Sequence, residues 1–179
     1  MAKALGLIEF TSISCGIDVC DEMLKAANTK LLRAGTLCPG KYMVLLSGET
    51  GDVRRALDAA IATEERHIMD HYCLPNCHPE ILSVLERPRR STPKAEGALA
   101  MCEYSRVITS IAAADAALKA AQVQLLELRT GFGIGGKGFF LLSGSVGDVR
   151  AAVEACDSIP NQISCRVIPK PDSRIFEYL

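Results

Sequence analysis

The sequence predicts an α/β fold of the α+β kind, two tandem βαββαβ modules, and three observations predict it. First, the chain repeats itself: Ala4-Leu5-Gly6-Leu7-Ile8-Glu9-Phe10 returns 94 residues later as Ala98-Leu99-Ala100-Met101-Cys102-Glu103-Tyr104. Second, apolar runs of strand length alternate within each copy with stretches of helical spacing. Third, Arg87-Pro88-Arg89-Arg90-Ser91-Thr92-Pro93-Lys94 separates the copies with two prolines and no apolar residue, as an exposed linker would. The expected boundaries are 1–88, a linker over 89–96, and 97–179.

The repeat holds along the module. Asp21-Glu22-Met23-Leu24-Lys25-Ala26-Ala27 matches Asp115-Ala116-Ala117-Leu118-Lys119-Ala120-Ala121, and Leu31-Leu32 matches Leu125-Leu126. Leu45-Leu46-Ser47-Gly48 through Asp52-Val53-Arg54 matches Leu141-Leu142-Ser143-Gly144 through Asp148-Val149-Arg150, now 96 residues apart. The second copy therefore gains two residues, confined to a Gly-rich stretch between Leu126 and Gly136. A period this long marks a unit that folds by itself rather than a solenoid repeat.

Ala4 to Thr11 is apolar between polar flanks, as a buried strand is. Ile17, Cys20, Leu24 and Ala27 recur at helical spacing, with Asp18, Asp21, Glu22 and Lys25 free to face away. Leu31 to Leu37 and Tyr42 to Leu46 suit two strands around the Cys38-Pro39-Gly40 turn. Asp52 is placed to cap a helix running to about Ile68. A short strand ends at Cys73-Leu74-Pro75, and Pro79 to Leu85 suits a terminal helix begun by proline. The second copy repeats this order from Leu99 to Val167, and its tail ends without a long helix. The order implies ferredoxin-like modules, each a mixed or antiparallel sheet with its helices on one face.

Composition excludes several roles. Twenty basic residues face 21 acidic ones with no basic run, against a nucleic-acid partner. No stretch reaches the ~20 apolar residues that span a bilayer, and the opening apolar run is cut by Glu9, too short for a signal peptide. The eight cysteines are accordingly expected as cytosolic thiols or ligands. Nucleophilic triads, dinucleotide fingerprints and paired catalytic carboxylates are missing, which argues against an enzyme.

Taken together, these residues resemble the bacterial microcompartment shell domain. The resemblance rests on the opening strand with Glu9 or Glu103, the Asp-x-x-x-Lys-Ala-Ala helix, the Gly-Lys hairpin, the Ser-Gly-x-x-x-Asp-Val helix entry and Ile168-Pro169-Lys170-Pro171. It covers nearly the whole chain twice and is closest to the tandem, propanediol-utilisation type. It implies a pseudo-hexameric homotrimer in the shell of a cytoplasmic microcompartment. The implied partners are other shell proteins and an encapsulated redox enzyme, with no nucleic acid or membrane. It implies a central pore lined by Pro39, Gly40, Lys41, Gly133, Ile134 and Gly135, and tile edges at Lys25 and Lys119. It further implies one 4Fe-4S cluster per trimer on three Cys38 ligands, for electron transfer across the shell. The alternatives are a gated metabolite pore without a cluster and a redox or sensor protein outside a shell.

The residue chemistry suits the implied cluster. A hairpin tip projects its side chain, Pro39 stiffens the turn, and Gly40 permits φ > 0 with its N–H near the sulfur. Read alone, Cys-Pro-Gly is equally a turn with an incidental thiol. Thr130-Gly131-Phe132-Gly133-Ile134-Gly135-Gly136-Lys137 replaces it in the second copy. No Ser or Thr follows Lys137 and no helix starts there, so this is no phosphate loop. Cys15 and Cys20 turn to different helix faces, and Cys102 and Cys156 read as core. Cys73-x-x-x-Cys77-His78 lacks the second half of a zinc motif. His67 and His71, four apart on an expected helix end, could pair on a metal but read first as solvated.

Overall fold

A computed structural model describes residues 3–86, 97–131 and 133–177. The expected linker 89–96 lies outside the described residues. By proximity of the backbone the chain divides into two compact units. The first is Met1–Leu85 with Phe132–Gly136, the second Glu86–Gly131 with Lys137–Leu179.

The first unit contains β1 (Ala4–Phe10), α1 (Ile13–Ala26), β2 (Lys30–Leu37), β3 (Lys41–Gly48), α2 (Thr50–Thr63), β4 (Ile68–Leu74) and α3 (Pro79–Glu86). The second contains β5 (Ala98–Tyr104), α4 (Val107–Ala120), β6 (Gln124–Thr130), β7 (Gly138–Gly144), α5 (Val146–Glu154) and β8 (Gln162–Ile168), then a 3-10 turn, Ser173–Glu177. The sheets have the orders β2-β3-β1-β4 and β6-β7-β5-β8, and their strand pairs are antiparallel. This is the βαββαβ module twice.

The core follows from strand periodicity. In β1, Ala4, Ile8 and Phe10 point to one face and meet Val19, Cys20 and Met23 of α1 and Val53, Ala56, Leu57 and Ala60 of α2. Leu5, Leu7 and Glu9 on the opposite face are buried as well, so the central strand is covered on both faces. Each fully buried Leu, Ile or Phe contributes ~1.5–3 kcal/mol.

The repeats fill one matching spot with exchanged sizes. In the first unit Gly16 of α1 faces Tyr42 of β3, and a Cβ on Gly16 would lie 2.6 Å from the ring and 2.8 Å from the Tyr42 Cβ. In the second unit the matching helix residue is Ser110 and the matching strand residue is Gly138. A Cβ on Gly138 would come within 2.6 Å of the Ser110 Cβ and 3.2 Å of the Val107 Cα. Room made by glycine on one element is taken by a side chain from the other.

Two boundaries differ from expectation. Helix α1 begins at Ile13, four residues early, because Ser12 accepts from the Cys15 N–H at 3.4 Å and caps it. Helix α2 stops at Thr63 rather than near Ile68, because Ile68 already pairs with Phe10 in the sheet. Asp52 is not its cap: it sits in the first turn behind Glu49 and pairs with Arg55. In α5 a side chain does cap, Ser145 Oγ accepting from the Asp148 N–H at 3.1 Å.

Candidate functional site

The β2–β3 hairpin ends on Cys38-Pro39-Gly40-Lys41. Leu37 and Lys41 form its last rung, which leaves Cys38 on the tip as an exposed, free thiol. The Cys38–Pro39 peptide is cis, and Gly40 has φ +65°, the left-handed conformation expected of it. Nothing lies within 4 Å of where a Gly40 side chain would begin, so its backbone is open to an approaching group.

The matching β6–β7 tip is two residues longer. Gly133, Gly135 and Gly136 have φ of +74°, +67° and +76°, conformations that residues with a Cβ resist. Gly133 and Gly135 are exposed, with empty space where a side chain would be, and Ile134 is half-buried between them. Gly136 is buried against the Cys38 carbonyl, where a side chain would clash with that oxygen. Residues of the two expected pore turns therefore meet within the first unit. Lys137 at the base of the longer tip donates to Glu103 at 2.8 Å. The pairing ties the end of the longer tip to strand β5.

Lys25 and Lys119 occupy the last turns of α1 and α4, where a cation also complements the helix dipole. Lys25 bonds Asp21 and Glu22 on its own helix, and these hydrogen bonds raise its ammonium above the usual lysine value. Lys119 pairs with Asp115 at 2.5 Å.

The remaining cysteines divide by burial. Cys20, Cys77 and Cys156 are buried and form no disulfide, and Cys73 is half-buried against the core. Cys102 is core as expected, but it is not a thiol: it is bonded to Cys165. The two lie directly opposite on the β5–β8 ladder with Cα atoms 4.2 Å apart, a rung that spacing along the chain does not reveal.

The expected helix end carrying His67 and His71 does not exist. His67 lies in the turn before β4 and His71 within that strand. His67 instead approaches Glu64, Nδ1 to Oε1 at 3.2 Å, and both approach Cys15 of α1. Reading the sequence missed this trio, since its members come from a helix start, a helix end and a turn. Burial first, then the Glu64 and Asp18 carboxylates, push the Cys15 thiol upward.

Comparison with known proteins gives a consistent result. The BMC domain family matches residues 4–77 and 98–171. The chain is 34% identical over 183 residues to the bacterial microcompartment shell protein PduT of Citrobacter freundii, covering 100% of this chain and 98% of that one. A crystal structure of a microcompartment protein from Desulfitobacterium hafniense DCB superposes with a TM-score of 0.88 at 36% identity, covering 99% of both chains. The fused permuted hexameric shell protein of the RMM microcompartment superposes with a TM-score of 0.61 at 26% identity, covering 86% of this chain and 81% of that one.

Proposed function

The chain belongs to the BMC domain family of bacterial microcompartment shell proteins, and from that premise we propose that three copies form a tile whose axial turns hold a 4Fe-4S cluster on three Cys38 thiolates. A place in the microcompartment shell comes with the family; the trimer, its axis and the cluster are the proposal.

The trimer reading is supported by an imbalance between matching positions. Ile17 is 54% exposed, whereas its counterpart Ile111 is fully buried. Leu31 is 39% exposed and its counterpart Leu125 1%. The chain leaves open on its first repeat a face that it keeps dry on its second. Association of identical chains head to tail covers such a face and forms a ring if the rotation closes. Six modules around one axis require three chains.

The residues at the tip fit the cluster. Cys38 is the single cysteine of the two turns, and it is exposed, free and next to an unobstructed Gly40 backbone. One thiolate per chain becomes three on a three-fold axis, sufficient for three irons. Gly133, Gly135 and Gly40 have open space where side chains would be, which supports access of a cluster, whose potential a Gly40 N–H donor would tune. When bound, such a cluster supplies one-electron transfer across the shell.

The observation that carries this reading is the exposed, unbonded Cys38 on the hairpin tip. Iron, acid-labile sulfide and native mass of anaerobically purified protein test it. The expected result is one cluster per three chains, lost in Cys38→Ser while the trimer persists. Wild-type iron in that variant, or a reconstituted trimer without iron, overturns the cluster and leaves a plain metabolite pore. A stable monomer or dimer overturns the tile.

A further inference from the structure

We propose that Cys15, Glu64 and His67 form a binding site for a thiophilic divalent cation of the zinc class, built from residues outside the hairpin turns and confined to the first repeat.

The donors are already gathered. One ligand atom from each residue lies within 4.8 Å of the others, and His67 Nδ1 stands 3.2 Å from Glu64 Oε1. Zinc bond lengths of ~2.0–2.3 Å at tetrahedral angles place neighbouring ligand atoms roughly 3.3–3.6 Å apart. The His67–Glu64 approach already has that length, and a contraction of the order of 1 Å closes the rest. His67 Nδ1 is shielded from water and makes no well-aligned hydrogen bond, and its neighbour is the Glu64 carboxylate at 3.2 Å, a pair that a cation can bridge.

Each donor is held by backbone. Cys15 sits in the first turn of α1, its N–H bonded to the Ser12 cap. Glu64 closes α2, its N–H donating to the Ala60 carbonyl at 3.0 Å. The His67 carbonyl accepts from the Thr11 N–H at 2.9 Å and the Thr11 hydroxyl at 3.3 Å. The first turn of α1 and the connection 64–67 between α2 and β4 therefore deliver a sulfur, an oxygen and a nitrogen from backbone that is hydrogen-bonded in place. All three residues are half-buried, which leaves a path for the ion and one coordination position for water.

The chemistry selects the ion. Thiolate and imidazole favour zinc and its softer neighbours over calcium or magnesium. A thiolate, a carboxylate and a neutral imidazole cancel the charge of a dication. Forming the metal–sulfur bond releases the thiol proton to solvent. The carboxylates that disfavour the bare thiolate are the charges that attract a cation. The second repeat keeps the backbone and discards the donors. Ser105 N–H donates to the Asn161 carbonyl at 2.9 Å as Thr11 does to His67, but the side chains there are Asn161 and, for Cys15, Thr109.

Cobalt titration under argon, in a Cys38→Ser background, tests the site without interference from the hairpin thiol. Chelator-treated protein should take up one Co2+ per chain with a thiolate-to-metal charge-transfer band, and zinc should displace it. Cys15→Ser should abolish the band. His67→Ala and Glu64→Gln should each weaken binding by more than about 100-fold, beyond the losses from altering outer-sphere partners. Metal-free circular dichroism melts of each variant confirm that the fold is retained. Absence of the band in the parent, its survival in Cys15→Ser, or unchanged affinity in folded His67→Ala overturns the assignment.

Discussion

Just past the end of α5, Cys156 is fully buried, its Sγ 3.3 Å from the Ala152 carbonyl and 3.5 Å from that of Ala113. Burial pushes this thiol from 9.0 to about 11. The native state then holds the proton more tightly than the unfolded chain. Its stabilisation is complete below pH 9.0 and is lost as pH rises toward about 11. At ~1.4 kcal/mol per unit this is of the order of 2–3 kcal/mol. Unfolding free energies of wild type and Cys156→Ala should therefore converge between those pH values. The Tyr104 phenol, raised mainly by its own burial, adds a loss of the same sign above its ordinary range in both proteins. Parallel pH curves for the two proteins would refute the assignment. Residues also differ in how readable they are. Cys38 is legible because turn chemistry is local: a Cys-Pro-Gly between two apolar runs places its own tip. Cys15, Glu64 and His67 are not, since nothing in a linear spacing brings a helix start to a helix end. Cys102 and Cys165 need the ladder register in the same way.

Helices and strands were legible in kind and order, and less so in extent. The start of α1 hides because Ile13 and Ile17, the residues a periodicity search weights most, are on its exposed side. The Ser12 cap was the better signal. The end of α2 hides because Glu64-Glu65-Arg66 are good helix formers, and only sheet pairing of Ile68 overrides them. What no propensity encodes is the size exchange between α1 and β3. Gly16→Ser should cost ~1–3 kcal/mol by driving a side chain into Tyr42. Adding Tyr42→Gly, which recreates the Ser110 and Gly138 combination of the second repeat, should recover part of that loss. A double-mutant cycle in urea should give a coupling of about 1 kcal/mol or more. Strict additivity would show that the two positions do not share space.

At the scale of the molecule, the duplication was the most legible feature, because each half restates the other and errors in one are checked by the second. The open face of the first repeat was not legible: Ile17 and Ile111 look alike on paper. Ile17→Glu should leave the monomer folded, since an exposed helix position tolerates charge, yet shift native mass from trimer to monomer. A trimer of undiminished stability would mean that face is not an interface. Lys25→Ala with Lys119→Ala should remove extended sheets seen by electron microscopy. Lys25→Ala alone should change the melting temperature little, because its exposed same-helix ion pairs are worth only ~0.3–0.5 kcal/mol, whereas Lys119→Ala takes a partner from the buried Asp115 carboxylate and should lower it. Unaltered sheets would free both lysines of that role. The exchange of sizes between repeats has a further consequence during synthesis. Strands β1 and β5 have equal length and meet β3 and β7 in equivalent register, Ala4 opposite Gly48 and Ala98 opposite Gly144. By backbone alone a nascent half could accept a strand from its twin, the characteristic misassembly of tandem repeats. A hybrid of α4 with β3 would drive Ser110 into Tyr42, and one of α1 with β7 would leave a hole between Gly16 and Gly138. The unequal side chains thus act as a sorting key, so that each half admits only its own strands.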